Sequence, residues 1–196
     1  MSRKAAERGN ALAQNTLAWL YERGAGVPRS VDSAIDWYRK SADQGYSRAQ
    51  YNLGRLYFVG TGVTKDLQQG LALWQKAAAA GDAAAQHSLG LAYESGEGVQ
   101  QDLPTAISWL TKSADQRYSP AQNSLGLLYA KGMGVSRDLV LAHMWFNLAA
   151  ATGYDQAKKN RDYIATQMSS IQIEDAQKRA KAWQPSAPPP MSASLP

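Results

Sequence analysis

Cysteine is absent from the 196 residues, which excludes disulfides and thiolate metal sites and leaves the redox compartment unreadable. No apolar run approaches the roughly 20 residues a bilayer-spanning helix needs. The opening MSRKAAERGNALAQ lacks the apolar segment of a secretion signal, so the chain reads as cytoplasmic as written, or periplasmic if a leader was trimmed. A net charge of +5 comes from scattered lysines and arginines. Without a basic stripe there is no nucleic-acid footprint. Histidine occurs only at His87 and His143, too few and too isolated for a zinc site. Ser-x-x-Lys, Ser-Asp-Asn, Lys-Thr-Gly and Gly-x-Ser-x-Gly are all missing, so the chain lacks a nucleophile–base–orienter set. The expectation is a non-enzyme without cofactor or metal.

What is present is a repeat. Gly9, Gly45, Gly81, Arg117 and Gly153 head successive copies spaced 36 residues apart. A fixed period in this range marks a solenoid of stacked supersecondary units. The copies run 9–44, 45–80, 81–116 and 117–152, preceded at 1–8 by the end of a partial repeat. Residues 3–9 (RKAAERG) match RKSADQG at 39–45. From 153 to 183 the apolar pattern thins, with Lys158, Lys159, Arg161 and Asp162 in its place, as terminal caps require. A last helix is expected from Ser169 or Ser170, with Ile173, Ala176, Ala180 and Trp183 on one side. The Pro/Ser-rich tail 184–196 is expected to be disordered, and a polyproline docking stretch at 188–190 is the less favoured reading of it.

Each copy splits into two helices. The first begins near Ala11, Ser47, Ala83 and Ser119, where Ser47 with Gln50 and Ser119 with Gln122 have the spacing of a capping box. A small residue recurs mid-helix at Ala18, Gly54, Gly90 and Gly126, which implies close helix–helix approach. Gly-x-Gly pairs from Gly24, Gly60, Gly96 and Gly132 end these helices with the left-handed residue a C-terminus favours. They follow helices rather than strands, so turn chemistry fits them better than a phosphate loop. The second helices are capped by Ser30, Asp66, Asp102 and Asp138. They carry aromatic-rich pairs expected in the core: Trp37–Tyr38, Leu73–Trp74, Trp109–Leu110 and Trp145–Phe146. His143 falls in the column of Ile35, Leu71 and Ile107, as a packed histidine.

Comparing the copies with one another separates shared columns from private ones. The most variable first-helix columns lie at offsets 0, 3, 7 and 10, one helical face. That face carries Asn15, Trp19 and Glu22 in the first copy, after Leu12. Arg48, Tyr51, Arg55 and Phe58 follow in the second, and His87, Leu91 and Glu94 in the third. Asn123 and Leu127 stand there in the fourth, between Pro120 and Ala130. Aromatic and arginine side chains on a face free of shared packing demands are the usual hot-spot types. These twelve residues, Asn15 through Leu127, are therefore the candidate protein-binding set.

The pattern G-x-x-x-A-Q-x-x-L-G-x-x-Y-x-x-G-x-G-V-x-x-D-x-x-x-A-x-x-W-x-x-K-A-A lies over 45–80 and 81–116 almost position by position. It departs at Arg117 and Leu148 in the fourth copy, and at Ala18 and Ser30 in the first. The chain thus closely resembles the Sel-1-like repeat family, relatives of tetratricopeptide repeats. The resemblance implies an all-α fold, a right-handed α/α superhelix of about four helix–turn–helix repeats with C-terminal capping helices. The first helices would line its concave side. It also implies an adaptor or regulator that binds a protein or peptide there. Two alternatives stay open: an inhibitor or immunity protein that occludes a bacterial effector enzyme, and a glycan- or peptidoglycan-binding module that uses exposed aromatics.

Overall fold

The computed structural model describes residues 3–185, and every regular element among them is an α-helix. The chain falls into two compact units, residues 1–100 and 101–196. The first unit holds α1 (Arg3–Glu7), α2 (Ala11–Arg23), α3 (Val31–Asp43), α4 (Ser47–Val59), α5 (Leu67–Ala79) and α6 (Ala83–Ser95). The second holds α7 (Leu103–Asp115), α8 (Ser119–Lys131), α9 (Leu139–Ala150), α10 (Asp155–Ala165) and α11 (Ser170–Ala182). Within the first unit each helix from α1 to α5 packs on its successor. In the second, α7 packs on α8, α8 on α9, and α9 on both α10 and α11.

Capping chemistry sets the helix boundaries. Ser30, Asp66, Asp102 and Asp138 each accept a hydrogen bond from the backbone N–H three residues on, contributing about 1 kcal/mol apiece. Asn10 and Asp82 do the same for α2 and α6. The capping boxes expected at Ser47–Gln50 and Ser119–Gln122 do not form. Those serines are already helical, and α4 and α8 start after Tyr46 and Tyr118 without a side-chain cap. The glutamines are buried and donate instead to the preceding helix, Gln50 to the Ala42 carbonyl and Gln122 to Ala114, both at 3.3 Å. Gln14 and Gln86 make the same bond to Ala6 and Ala78, each at 3.1 Å. A carbonyl in the previous helix thus outcompetes the local cap. The capping box that does form stands at Ser169 and Gln172, opening α11.

The first helices of the repeats end on left-handed glycines, Gly24, Gly60, Gly96 and Gly132, with φ between 68° and 82°. L-residues with a Cβ avoid that region. At Gly62, Gly98 and Gly134 the next glycine of the pair is needed for space as well, whereas a Cβ on Gly26 would meet nothing. A Cβ on Gly62 would lie 2.3 Å from Val31 Cγ1, and one on Gly134 would lie 2.7 Å from Leu103 Cβ.

The interior forms where large residues meet small ones. In the first unit Tyr38, Leu53 and Leu56 close on Ala18, Ala34, Ala42 and Ala49. In the second, Phe146 is sealed by Ala142, Ala149, Ala157 and Ile164. The aromatic pairs divide their labour. Tyr38, Trp74, Leu110 and Phe146 are interior, whereas Trp37, Leu73 and Trp109 are only half-buried. Lys40 lies 4.4 Å over the Trp37 ring and Lys112 lies 4.3 Å over Trp109. These two tryptophans therefore sit at the edge of the core, each under a cation. His143 is buried, as its column implies. The α11 helix lies on α9, where Ala176 and Ala180 are buried and the Trp183 ring meets Trp145 edge-on at 5.9 Å. Apart from Gln184 and Pro185, the 184–196 tail and its 188–190 stretch lie outside the described residues.

Candidate protein-binding face

The face is built on the first helix of each repeat. In α2, Leu12 and Trp19 stand exposed, with 46% of the indole residue's surface open to solvent. Between them Asn15 is buried, and its Oδ1 accepts from Asn52 Nδ2 of α4 at 3.1 Å. One turn beyond Trp19, the Glu22 carboxylate is clasped on both sides. Tyr38 Oη donates to Oε2 at 2.8 Å, and the Arg55 guanidinium is in direct contact with Oε1. Burial, followed by the Glu22 charge, drives the Tyr38 hydroxyl far above the usual phenol range, so it stays a protonated donor.

In α4, Arg48 is exposed but anchored. Its Nε meets Asp82 Oδ2 at 3.2 Å, and its guanidinium lies 5.6 Å above the Tyr51 ring. Asp82 is itself buried and caps α6, so this ion pair ties the surface of one repeat to the helix start of the next. Phe58 is half-buried and packs on Trp74, ring centroids 4.5 Å apart. Trp74 is fixed in turn by its Nε1–H bond to the Tyr51 carbonyl, 3.2 Å.

In α6, Leu91 is exposed, while His87 and Glu94 are half-buried. Burial pulls the His87 imidazole down to about 4, so it is neutral at pH 7. In the second unit, Asn123 is buried, and its Oδ1 accepts from Asn160 Nδ2 of α10 at 2.8 Å. Leu127 is half-buried.

Nine of the twelve sequence-selected residues fall into two groups, while His87, Glu94 and Leu127 are half-buried and belong to neither. Trp19, Arg48, Tyr51 and Leu91, with Leu12 beside them, present surface to solvent on one helical face of the first unit. Asn15, Asn123, Glu22, Arg55 and Phe58 are tied into bonds and stacking between helices. The exposed Arg48 and the half-buried Arg55 are both already paired with carboxylates, so the face offers apolar and aromatic surface more than free charge. Tyr163 of α10, 69% exposed, lies outside the sequence-selected set. Its signal was available: position 163 continues the 19, 55, 91, 127 column one period on.

Among the described residues no group of three or more histidines and carboxylates is placed to hold a metal ion. Likewise, no helix among them is long and apolar enough to cross a membrane. His143 is buried on α9 with Nδ1 unpartnered, and burial together with the Arg161 charge lowers its affinity for a proton.

Comparison with known proteins agrees with the internal repeat. The family description "Sel1 repeat" matches residues 11–46, 47–82, 83–118 and 119–154. A Sel1 repeat protein from Oxalobacter formigenes is 30% identical, with a TM-score of 0.79, over 93% of this chain and 76% of that one. A protective antigen present in uropathogenic Escherichia coli strains, displaying an SLR fold, is 32% identical with a TM-score of 0.58. That alignment covers 91% of this chain but only 46% of the antigen. An immunity protein from Pseudomonas aeruginosa shares the fold at 24% identity and a TM-score of 0.61, over 95% of this chain and 79% of its own. No curated protein matches.

Proposed function

Because the chain belongs to the Sel1 repeat family, whose members are protein-interaction scaffolds, we propose that it is a non-catalytic adaptor or regulator. It holds a protein or peptide against the first-helix face. The observation that carries this reading is the exposed apolar surface of α2 and α6, Leu12, Trp19 and Leu91, with Arg48 and Tyr51 on the helix between. Tryptophan and tyrosine supply large contact area at low entropic cost, and hot spots are enriched in them. The backbone beneath is already fixed by the Asn15–Asn52 and Arg48–Asp82 bonds. Little ordering entropy is therefore lost when a partner docks.

The test compares the chain with a Trp19→Ala/Arg48→Ala/Leu91→Ala variant as bait in lysate of the source organism, after both show the same helical melt. Trp19 and Leu91 are exposed, and Asp82 keeps its bond from the Ala85 N–H when Arg48 is removed, so the fold should survive. A discrete protein retained by the wild type and lost by the variant supports the reading, and loss should amount to about 1–3 kcal/mol per hot-spot residue. A partner retained equally by both places binding elsewhere, and capture of nothing by either refutes the adaptor role. The affinity of the purified pair then separates an adaptor, near 1 μM, from an enzyme-occluding inhibitor, near or below 1 nM. The Pseudomonas aeruginosa protein that shares this fold is an immunity protein, which makes that comparison worth running.

A further inference from the structure

The repeats can be compared at equivalent junctions. Where the first repeat meets the second, three columns converge as Glu22, Tyr38 and Arg55, and the carboxylate fills the space, held by the phenol and the guanidinium. Where the second meets the third, the same columns hold Phe58, Trp74 and Leu91, and the Phe58 ring fills the space against Trp74. After the fourth repeat they hold Ala130, Phe146 and Tyr163. Here the filling side chain has shrunk to a methyl, and Tyr163 stands out toward solvent. The volume that Glu22 and Phe58 occupy elsewhere is open: a groove of about 280 Å³.

We propose that this groove between α8, α9 and α10 receives an aromatic side chain of a partner peptide, flanked in that peptide by acidic residues. The proposal rests on the protein-binding reading above and extends it to the second unit. The floor is apolar, with Phe146 and Ile164 buried and Leu127 and Leu139 half-buried. A guest ring would lie on Phe146 as Phe58 lies on Trp74. The rim is cationic. Lys131 and Arg137 line the groove, and its lining includes no carboxylate. Arg137 uses Nε and Nη2 on the Ala130 carbonyl and the Gln167 amide oxygen, which holds it in place and leaves its charge uncompensated by either neutral partner. The volume suits one large side chain, being just under the roughly 300–1,000 Å³ of small-molecule sites. An aromatic ring satisfies the floor, and neighbouring carboxylates satisfy the rim.

The probe is the capped pentapeptide acetyl-Gly-Glu-Phe-Glu-Gly-amide, titrated to about 5 mM into the ¹⁵N-labelled full chain, a range suited to a millimolar contact. The expected result is saturable shifts at Leu127, Tyr163 and Ile164, absent when alanine replaces the peptide's phenylalanine. Ala130→Phe, which restores the filling ring of the second repeat, should abolish them. Because that variant can disturb packing, the exposed Lys131→Glu serves beside it and should weaken binding roughly three-fold, as a rim charge does. Absence of groove shifts, or equal binding to Ala130→Phe with its fold intact, overturns the proposal. If Ala130→Phe without peptide moves the Met191 amide signal, the occupant is this chain's own tail and the partner reading falls. The Trp19→Ala/Arg48→Ala/Leu91→Ala variant should titrate like wild type, so the two proposals fail separately.

Discussion

Replacing Gly54 by alanine sets two effects of opposite sign against each other. By helix propensity alone, alanine in mid-helix is better than glycine by about 1 kcal/mol. Space argues the other way. A Cβ on Gly54 would lie 2.7 Å from Trp74 Cδ1 and 2.9 Å from the Gly70 carbonyl oxygen. Neither neighbour can give way cheaply. The carbonyl is helix backbone, and the indole is pinned by its bond to Tyr51 and its stacking on Phe58. Gly70 faces the same crowding in reverse, its own Cβ position 2.9 Å from the Gly54 oxygen. Overpacking of this kind costs about 1–3 kcal/mol, and pinned neighbours put this site near the upper end. After the propensity gain, Gly54→Ala should destabilise by roughly 2 kcal/mol, lowering the melting temperature by about 4–8 °C for a chain of this size. Thermal and urea melts followed by circular dichroism at 222 nm would measure it. A rise of a few degrees would refute the reasoning, because it would show that the glycine is not there to let α4 and α5 touch.

Glu22→Ala should cost about 1–3 kcal/mol in urea melts, because it leaves the buried Tyr38 hydroxyl and the Arg55 guanidinium without their acceptor; a cost near zero would show that water replaces the carboxylate freely. Both histidines bind protons less readily in the folded chain than in the unfolded one, where the value is near 6.5. Their contribution is therefore complete above pH 6.5 and is lost as pH falls through 6.5 toward the folded values. For His87, with a folded value of about 4, the loss sums to roughly 3 kcal/mol at most. His87→Gln should flatten the stability curve between those limits, and an unchanged slope would remove His87 as its cause. Arg117 holds a left-handed φ of 59° where the other copies have glycine, with its guanidinium 5.8 Å from the Trp183 ring. Arg117→Gly and Arg117→Ala both lose that contact, so their difference isolates the backbone; glycine should be the more stable by about 1 kcal/mol, and equal melts would mean that the turn relaxes.

The framework of the fold could be read from the chain because its determinants are local. Asp66 capping α5 and Gly60 closing α4 depend on neighbours three or four residues away. The face was harder to read, for a physical reason. Position 15 looked private because it varies among copies, yet Asn15 bonds to Asn52, 37 residues on, and Glu22 bonds to Arg55, 33 residues on. Each junction has solved its packing with its own pair, so a column can vary while remaining internal. Gln50 misled in the opposite sense. It recurs at the spacing of a local cap but serves the neighbouring helix. Trp19 and Leu91 carried no such partner, and they remain at the surface.

The glutamine bonds bear on how the array shakes and how it grows. Each spans only eight residues of chain, so every joint is written inside a short segment and travels whole with any duplicated block of 36. Local closures of this kind favour rapid formation. One period beyond Gln122 the column holds Lys158, exposed on α10. The last joint is thus without its rivet, and amide protons of α10 should exchange with solvent sooner than those of α8.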